Sequence, residues 1–180
     1  TYWAQALNDS IIRPTENVGA FRSLMMNSLC GKILRIDPAT GLGLSTNPFY
    51  EPANPDSAVS KIWALGLRNP FRFTLVPNTG NVDILAGNPG VIYAGDVGWN
   101  TWESIHIIKQ GAHNSGWPVF EGLTEENQYL ATNQINSDAI NPLFAQGKCA
   151  DKFFRFRDLT VLDRNWGNPA ISNPCDTTLS

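Results

Sequence analysis

The sequence is poor in charge and lacks the features of several large functional classes. Only 16% of its 180 residues are charged, the formal net charge is -3, and no run of basic residues occurs. Nucleic acid is therefore not an expected partner, because neutralising phosphates requires clustered lysine and arginine. No apolar run approaches the roughly 20 residues of a membrane-spanning helix, so no membrane span is expected.

The sequence motifs of nucleotide binding and of serine hydrolases are also missing. No Gly-x-x-x-x-Gly-Lys, Gly-x-Gly-x-x-Gly or Gly-x-Ser-x-Gly pattern occurs. The two histidines, His106 and His113, have no evident serine or cysteine partner, so neither is assigned as a catalytic base. The N-terminus has no initiating Met, basic segment or apolar core. We therefore expect a cut inside a longer chain rather than a signal peptide.

Cysteine is scarce. Cys30, Cys149 and Cys175 do not have the close spacing of a zinc site. A Cys149–Cys175 disulfide with Cys30 buried and a set of three reduced cysteines are both compatible with the sequence. We predict the disulfide, because Cys149 and Cys175 bracket a polar segment with little core of its own.

Glycine and proline punctuate the whole chain. The 15 glycines and 12 prolines predict many short strands separated by turns, which favours an all-β fold. Residues 62–108 are predicted to hold about four short strands in sequence, the content of one propeller blade or of one sheet of a sandwich. From Leu123 the chain is polar and loop-like. We therefore divide it into residues 1–122 and a loop-rich insertion or connector at 123–180.

Two of the predicted strands have a clear period of two. Phe71, Phe73 and Leu75 alternate with polar residues, which is typical of a half-buried strand. The segment 102–108 is also predicted to be a strand. One face would carry Trp102, Ser104, His106 and Ile108, and the other Glu103, Ile105 and Ile107.

Arg68 and Asn69 are the first candidate binding residues. They follow an apolar strand that begins at Ile62, and Gly66 and Pro70 interrupt the strand on either side of them. A rigid sheet commonly presents its functional groups at such a break. An arginine there offers a planar fork of donors to a carboxylate or phosphate. The alternative is an Arg–Asp surface pair beside an asparagine turn.

A second candidate is the segment from Asp96 to Asn100, followed by Glu103. It combines carboxylates, exposed carbonyls and an amide, and oxygen ligands of this kind suit calcium. The spacing is not that of an EF-hand. The alternative is an Asp–Gly turn in which Asp96 caps backbone amides.

Four segments occur together in an order that resembles a known family: Gly31–Pro38, Ala64–Arg72, Gly95–Glu103 and Asn114–Pro118. They resemble the soluble quinoprotein sugar dehydrogenases, the glucose/sorbosone dehydrogenase family, which uses pyrroloquinoline quinone (PQQ). The resemblance covers about residues 24–122. It implies a six-bladed β-propeller, of which this chain would carry about two to three blades with loop-rich insertions.

The resemblance also implies a function. Such a protein is an oxidoreductase that oxidises a sugar or related alcohol by hydride transfer to PQQ, with calcium bound and an external electron acceptor. Members of this kind are secreted or periplasmic. Their general base is a histidine upstream of everything present here, and neither His106 nor His113 matches it, so we expect a fragment without its own base. The alternative is a non-catalytic secreted propeller of the hedgehog-interacting-protein-like class that binds a protein partner.

Individual residues follow from the resemblance. Arg68 and Asn69 match the pair that contacts the quinone, whereas Phe71 stands where some members have a glutamine. Two calcium sites are implied. Gly98 and Trp99 match residues whose backbone carbonyls hold a calcium under the quinone. At a second, structural calcium, Glu103 matches a carboxylate ligand, and Ser104 and Ser115 match residues that bind through backbone carbonyls.

Overall fold

The computed structural model describes residues 2–159 and 173–175. Within them the chain is mostly short strands with few helices, as predicted, and α1 is the longest α-helix with seven residues. The chain forms two compact units, Thr1–Glu126 and Asn127–Ser180. The division into domains at 1–122 and 123–180 stays a prediction, because compactness alone does not define a propeller blade.

The described helices are short. The α-helices are α1 (Tyr2–Asn8), α2 (Ala58–Lys61), α3 (Asn127–Leu130) and α4 (Pro142–Ala145), and 3-10 turns occupy Pro14–Glu16, Gly19–Leu24, Ile84–Ala86 and Phe156–Leu159. No helix in this part of the chain has the length and apolar character needed to cross a bilayer.

The strands form four small sheets. The strands are β1 (Ile33–Leu34), β2 (Ile62–Leu65), β3 (Pro70–Leu75), β4 (Ile92–Asp96), β5 (Ser104–Ile108), β6 (His113–Asn114), β7 (Phe120–Glu121), β8 (Thr124–Glu125), β9 (Ile135–Ile140) and β10 (Phe153–Arg155). The sheet orders are β1-β2-β6, β3-β4-β5, β7-β8 and β10-β9. Shortly after β1, Ile36 and Gly43 form an isolated antiparallel bridge.

The core of the first unit joins its two three-stranded sheets. In the first sheet, β2 pairs antiparallel with β1 and parallel with β6, and every residue of β2 is buried. In the second sheet, β3, β4 and β5 form an antiparallel meander. The buried cluster that connects the sheets comprises Ile33, Trp63, Ala64, Leu67, Ile92, Ala94 and Ile108.

The alternation predicted for β5 is confirmed over its structured part. Ile108 is fully buried, whereas Ile105 is 76% exposed. The half-buried character predicted for β3 is wrong, since Phe71 and Phe73 are 70% and 61% exposed. β3 is the edge strand of its sheet, and among the described residues no element covers the face that carries Phe71 and Phe73.

The outward face of the second sheet is apolar as well. Tyr93, Ile105 and Ile107 lie on that face, and all three are exposed. The register pairs Tyr93 with Ile107, so the apolar side chains of β4 and β5 are neighbours across the sheet. Contiguous exposed apolar surface of this kind is typical of a face that another structure covers.

The predicted Cys149–Cys175 disulfide is present in the second unit. The accompanying expectation that Cys30 is buried is wrong, because Cys30 is an exposed free cysteine. It follows a turn in which its backbone N–H donates to Ser28 Oγ at 3.4 Å, and this turn leaves the thiol outside the core.

Thiol counting checks this pairing. Under denaturing, non-reducing conditions we expect one reactive thiol per chain, and the same thiol should react in the native protein because Cys30 is exposed. Titration with a chromogenic disulfide reagent measures both numbers. A count of three thiols would contradict the bridge.

Candidate functional site

The break after β2 depends on a glycine that no other residue can replace without strain. Gly66 has φ +73°, in the left-handed region that favours glycine. A Cβ atom there would lie 2.2 Å from Asn114 Oδ1. The chain therefore turns sharply at Gly66, and Arg68 and Asn69 lie between β2 and β3 as the sequence predicted.

Asp96, the last residue of β4, holds this break in place. Its Oδ2 accepts a hydrogen bond from the Arg68 backbone N–H at 3.0 Å, and its Oδ1 accepts one from the Asn69 N–H at 2.6 Å. Asp96 is 7% exposed, so neither amide relies on water for a partner. The hypothesis that Asp96 caps amides is right in kind, but the amides belong to a distant strand break rather than to its own turn.

The neighbouring residue completes the attachment. The Val97 N–H donates to the Asn69 carbonyl at 3.1 Å, and the Arg68 guanidinium donates to the Val97 carbonyl at 2.9 Å. The alternative of a surface Arg–Asp ion pair at Arg68 is therefore wrong. Arg68 meets Asp96 through its backbone N–H and not through its guanidinium. Four hydrogen bonds join residues 68–69 to residues 96–97.

The Arg68 side chain is placed for ligand contact. Its guanidinium lies 5.4 Å from the centroid of the Trp117 ring, and Trp117 meets Trp99 edge-on at 5.9 Å. Arginine has five N–H donors, so the one given to Val97 leaves donors for an anionic group. Asn69 is exposed beside it. Together the two side chains can bind a carboxylate-bearing ligand.

Two histidines lie behind this loop. His106 Nε2 is 3.2 Å from Asp96 Oδ2, and the rings of His106 and His113 are 6.4 Å apart. Burial acts to raise the pKa of Asp96, but the hydrogen bonds from His106 and two backbone amides outweigh it and hold the pKa below its usual range. Burial, together with the charge of His106, lowers the pKa of His113.

Glu121 organises the loop between β4 and β5, and sequence reasoning did not identify it. It is 5% exposed and accepts hydrogen bonds from the backbone N–H groups of Trp99, Asn100 and Thr101 and from the Thr101 hydroxyl. Burial acts to raise its pKa, but these donors lower it to about 2. No local pattern in the sequence links Glu121 to a loop some twenty residues earlier.

The predicted metal ligands lie on both sides of a small cleft in the first unit. Gly98, Ser104 and Ser115 line it together with Arg68, Asp96, His106, Trp117 and Glu121. Trp99 and Glu103 belong to the same loop, and Glu103 Oε2 accepts a hydrogen bond from the Gly98 N–H at 3.1 Å. A Cβ at Gly98 would lie 1.8 Å from the Trp102 carbonyl oxygen, so only glycine fits this approach.

The cleft is small, and its lining includes carbonyl, hydroxyl and carboxylate oxygens. Its volume is about 20 Å³, which is room for one ion or water molecule. The buried hydroxyl of Ser115 has no hydrogen-bond partner among the described residues. The described residues contain no group of three His, Cys, Asp or Glu side chains that could hold a metal.

Asp96 itself is a poor direct ligand. Its two carboxylate oxygens already accept the amides of Arg68 and Asn69. A calcium ion in the 96–103 segment would therefore rely on other oxygens, with Glu103 as the exposed carboxylate of the loop.

Comparisons with known proteins point to one family. The family described as Glucose / Sorbosone dehydrogenase matches residues 15–149. The HIPL1 protein of Arabidopsis thaliana is 35% identical over 132 residues, which cover 65% of this chain and 17% of that protein. The HIPL2 protein of Arabidopsis thaliana is 36% identical over 107 residues, covering 53% of this chain and 14% of that protein. The matched part of the chain thus spans about a sixth of the length of these relatives.

Proposed function

The chain belongs to the glucose/sorbosone dehydrogenase family, and from that premise we propose that it is part of a PQQ-dependent dehydrogenase that oxidises a sugar or related alcohol. The observation that carries the proposal is the rigid presentation of Arg68 and Asn69 at a strand break. Both residues are attached through their backbones to β4 and Val97, the Asn69 side chain is exposed, and the Arg68 guanidinium keeps donors beyond the one that it gives to Val97. PQQ, when bound, supplies the hydride acceptor for the reaction.

Arg68 would bind a carboxylate or quinone oxygen of PQQ. Its guanidinium offers planar donors of the geometry that a carboxylate accepts, and the Trp117 ring beneath it limits its rotation. Asn69 adds an exposed amide that both donates and accepts. Phe71 stands at the position that is glutamine in some members, and it supplies no polar group. The polar contacts of this loop with PQQ would therefore come from Arg68 and Asn69.

Calcium would be held on the loops that line the cleft. The residues proposed as its ligands are the carbonyls of Gly98 and Trp99 at the quinone, and Glu103, Ser104 and Ser115 at a structural site. The donor set of hard oxygens supports this assignment. The Ser115 hydroxyl, which has no partner among the described residues, is a further oxygen beside the proposed carbonyl ligand. Calcium there would tie the β4–β5 loop to the segment after β6.

No general base is assigned within the described residues. His106 is engaged by Asp96, and burial disfavours the charged form of His113. We propose that the base lies elsewhere in the full-length protein and that this chain alone does not oxidise a sugar. The substrate, the electron acceptor and secretion or export to the periplasm remain part of the proposal, and the disulfide in the second unit fits an oxidising compartment.

The propeller architecture is supported by the exposed apolar face. Tyr93, Ile105 and Ile107 face outward from the second sheet, and β3 is an uncovered edge. In a propeller such a face packs against the neighbouring blade of the same protein. The relatives are several times longer than the matched segment, and that length is enough for further blades.

A quinone titration of the full-length protein tests the function. We expect the protein to bind PQQ saturably in the presence of calcium and to reduce a dye acceptor when an aldose or sugar alcohol is added. Binding is followed by the absorbance of the cofactor and turnover by bleaching of the dye. A protein that binds no PQQ would overturn the proposal.

A second candidate is a non-catalytic propeller that binds a protein partner. The HIPL names of both relatives favour it, since this class is the alternative that the sequence suggested. Fold alone does not separate the two functions. The absence of PQQ binding together with saturable binding of an extracellular protein ligand would establish the second candidate.

Calcium removal gives a separate prediction. A chelator should lower the melting temperature of the full-length protein, because loss of the ion would release the loops on either side of the cleft. Differential scanning calorimetry with and without chelator measures the shift. In Glu103→Gln, which retains an acceptor for the Gly98 N–H but loses the charge, the shift should be smaller.

The matched control is Glu51→Gln, at an exposed residue outside the cleft, whose chelator-dependent shift should equal that of the parent. Melting curves of the parent that are the same with and without chelator would exclude a stabilising metal site.

A further inference from the structure

A buried carboxylate, Asp96, lies against the backbone of the two residues of the proposed quinone contact. Asp96 is the only described side chain that accepts hydrogen bonds from the backbone N–H groups of both Arg68 and Asn69. Both bonds run across the break between β2 and β3 to the end of β4. One carboxylate therefore accepts both backbone amides of the break, and it lines the same small cleft as Arg68.

His106 fixes that carboxylate in turn. His106 Nε2 lies 3.2 Å from Asp96 Oδ2, the oxygen that also accepts the Arg68 amide, and a carboxylate oxygen there requires the tautomer in which Nε2 donates. Among the described residues, Asp96 Oδ1 accepts a hydrogen bond from the Asn69 N–H only. All three donors thus define the rotation of the Asp96 carboxylate plane, and only a group with two acceptor oxygens satisfies them.

We propose that Asp96 is a positioning residue for PQQ, which holds Arg68 and Asn69 in the conformation that binds the quinone before the quinone arrives. This inference rests on the proposed function. An asparagine at this position has the same shape but only one acceptor oxygen. Its NH₂ group would face a backbone N–H, so one of the two attachments would be lost.

In Asp96→Asn, a smaller fraction of the molecules would have residues 68–69 in the conformation that binds PQQ. When only a fraction of molecules has the binding conformation, the apparent dissociation constant rises by the inverse of that fraction. A competent fraction of about one tenth in Asp96→Asn would raise the dissociation constant for PQQ about tenfold. The number of binding sites per molecule would stay at the parent value.

The experiment compares the full-length parent with Asp96→Asn and a matched control, Asp83→Asn. Asp83 also caps a backbone amide, that of Leu85 at 2.9 Å, but lies in the loop that joins the far ends of β3 and β4. Absorbance titration with PQQ should give a dissociation constant about tenfold higher for Asp96→Asn and unchanged for Asp83→Asn. A merely destabilised variant would instead show fewer sites with an unchanged dissociation constant.

Amide hydrogen exchange without PQQ provides the second readout. The amides of Arg68 and Asn69 should exchange faster in Asp96→Asn than in the parent, whereas the amides of β2 should not change. If the parent and Asp96→Asn bind PQQ with the same dissociation constant, this inference is overturned and the proposed function is not. A parent that binds no PQQ would overturn the proposed function and this inference together.

Discussion

Replacement of Arg68 by alanine is expected to raise the dissociation constant for PQQ by about 30-fold or more, which corresponds to about 2–5 kcal/mol of binding free energy. The quinone carries several carboxylates, and the variant would leave one of them poorly paired in a partly desolvated site. Arg68 is half-buried against Trp117, so water replaces its guanidinium only in part. Isothermal titration calorimetry of the full-length protein measures the change.

Two further variants define the cause of that loss. Arg68→Lys keeps the charge but loses the planar fork, so its affinity should lie between those of the parent and Arg68→Ala. Arg155→Ala removes an arginine whose described ion pair is with Asp151 in the second unit, and it should bind PQQ as the parent does. Equal affinity in the parent and Arg68→Ala would place the quinone contact elsewhere.

Replacement of Glu121 by glutamine is expected to lower the free energy of unfolding by about 2–4 kcal/mol, because buried donors would lose a charged acceptor. The carboxylate accepts three consecutive backbone N–H groups and a hydroxyl. Glutamine offers one acceptor oxygen, and its NH₂ would point at donors. Urea unfolding followed by tryptophan fluorescence measures the difference between parent and variant.

The pH dependence of that difference follows from the pKa of Glu121. The pKa is lowered to about 2 in the folded protein, so the stabilisation is fully present above the ordinary glutamate pKa of about 4.3. It should be lost as the pH falls from about 4.5 towards 2, because the folded protein must then bind a proton that the unfolded chain binds more readily. The difference in the free energy of unfolding between the parent and Glu121→Gln should therefore become smaller as the pH falls through that range.

A matched control separates this effect from general acid unfolding. Glu51 is exposed, and its side chain accepts only the Ser57 hydroxyl among the hydrogen bonds described. Glu51→Gln should change the free energy of unfolding by less than about 0.5 kcal/mol at every pH. A Glu121→Gln variant as stable as the parent at pH 7 would show that the capped loop contributes nothing to stability.

Local pattern was enough to predict the class of the fold and the place of the break. Glycine and proline interrupt the chain wherever a strand must end, and these residues act through their own backbone preferences. The period of two in Ser104 to Ile108 predicted which side chains of β5 share a face, and the structure decided which of the two faces is buried. The Cys149–Cys175 pairing followed from a polar segment between two cysteines. Four ordered motifs were enough to identify the family.

Tertiary structure alone decided how the candidate site is held together. Asp96 reaches amides 27 and 28 residues away, and Glu121 reaches amides 20 to 22 residues away. An aspartate before a glycine turn and an aspartate bound across two strands have the same local sequence, because a carboxylate accepts any N–H that the fold brings within reach. The exposure of β3 and of Cys30 was likewise decided by what lies beside them in space. Sequence therefore determined where the chain bends and which residues are available, and the fold determined which of them meet.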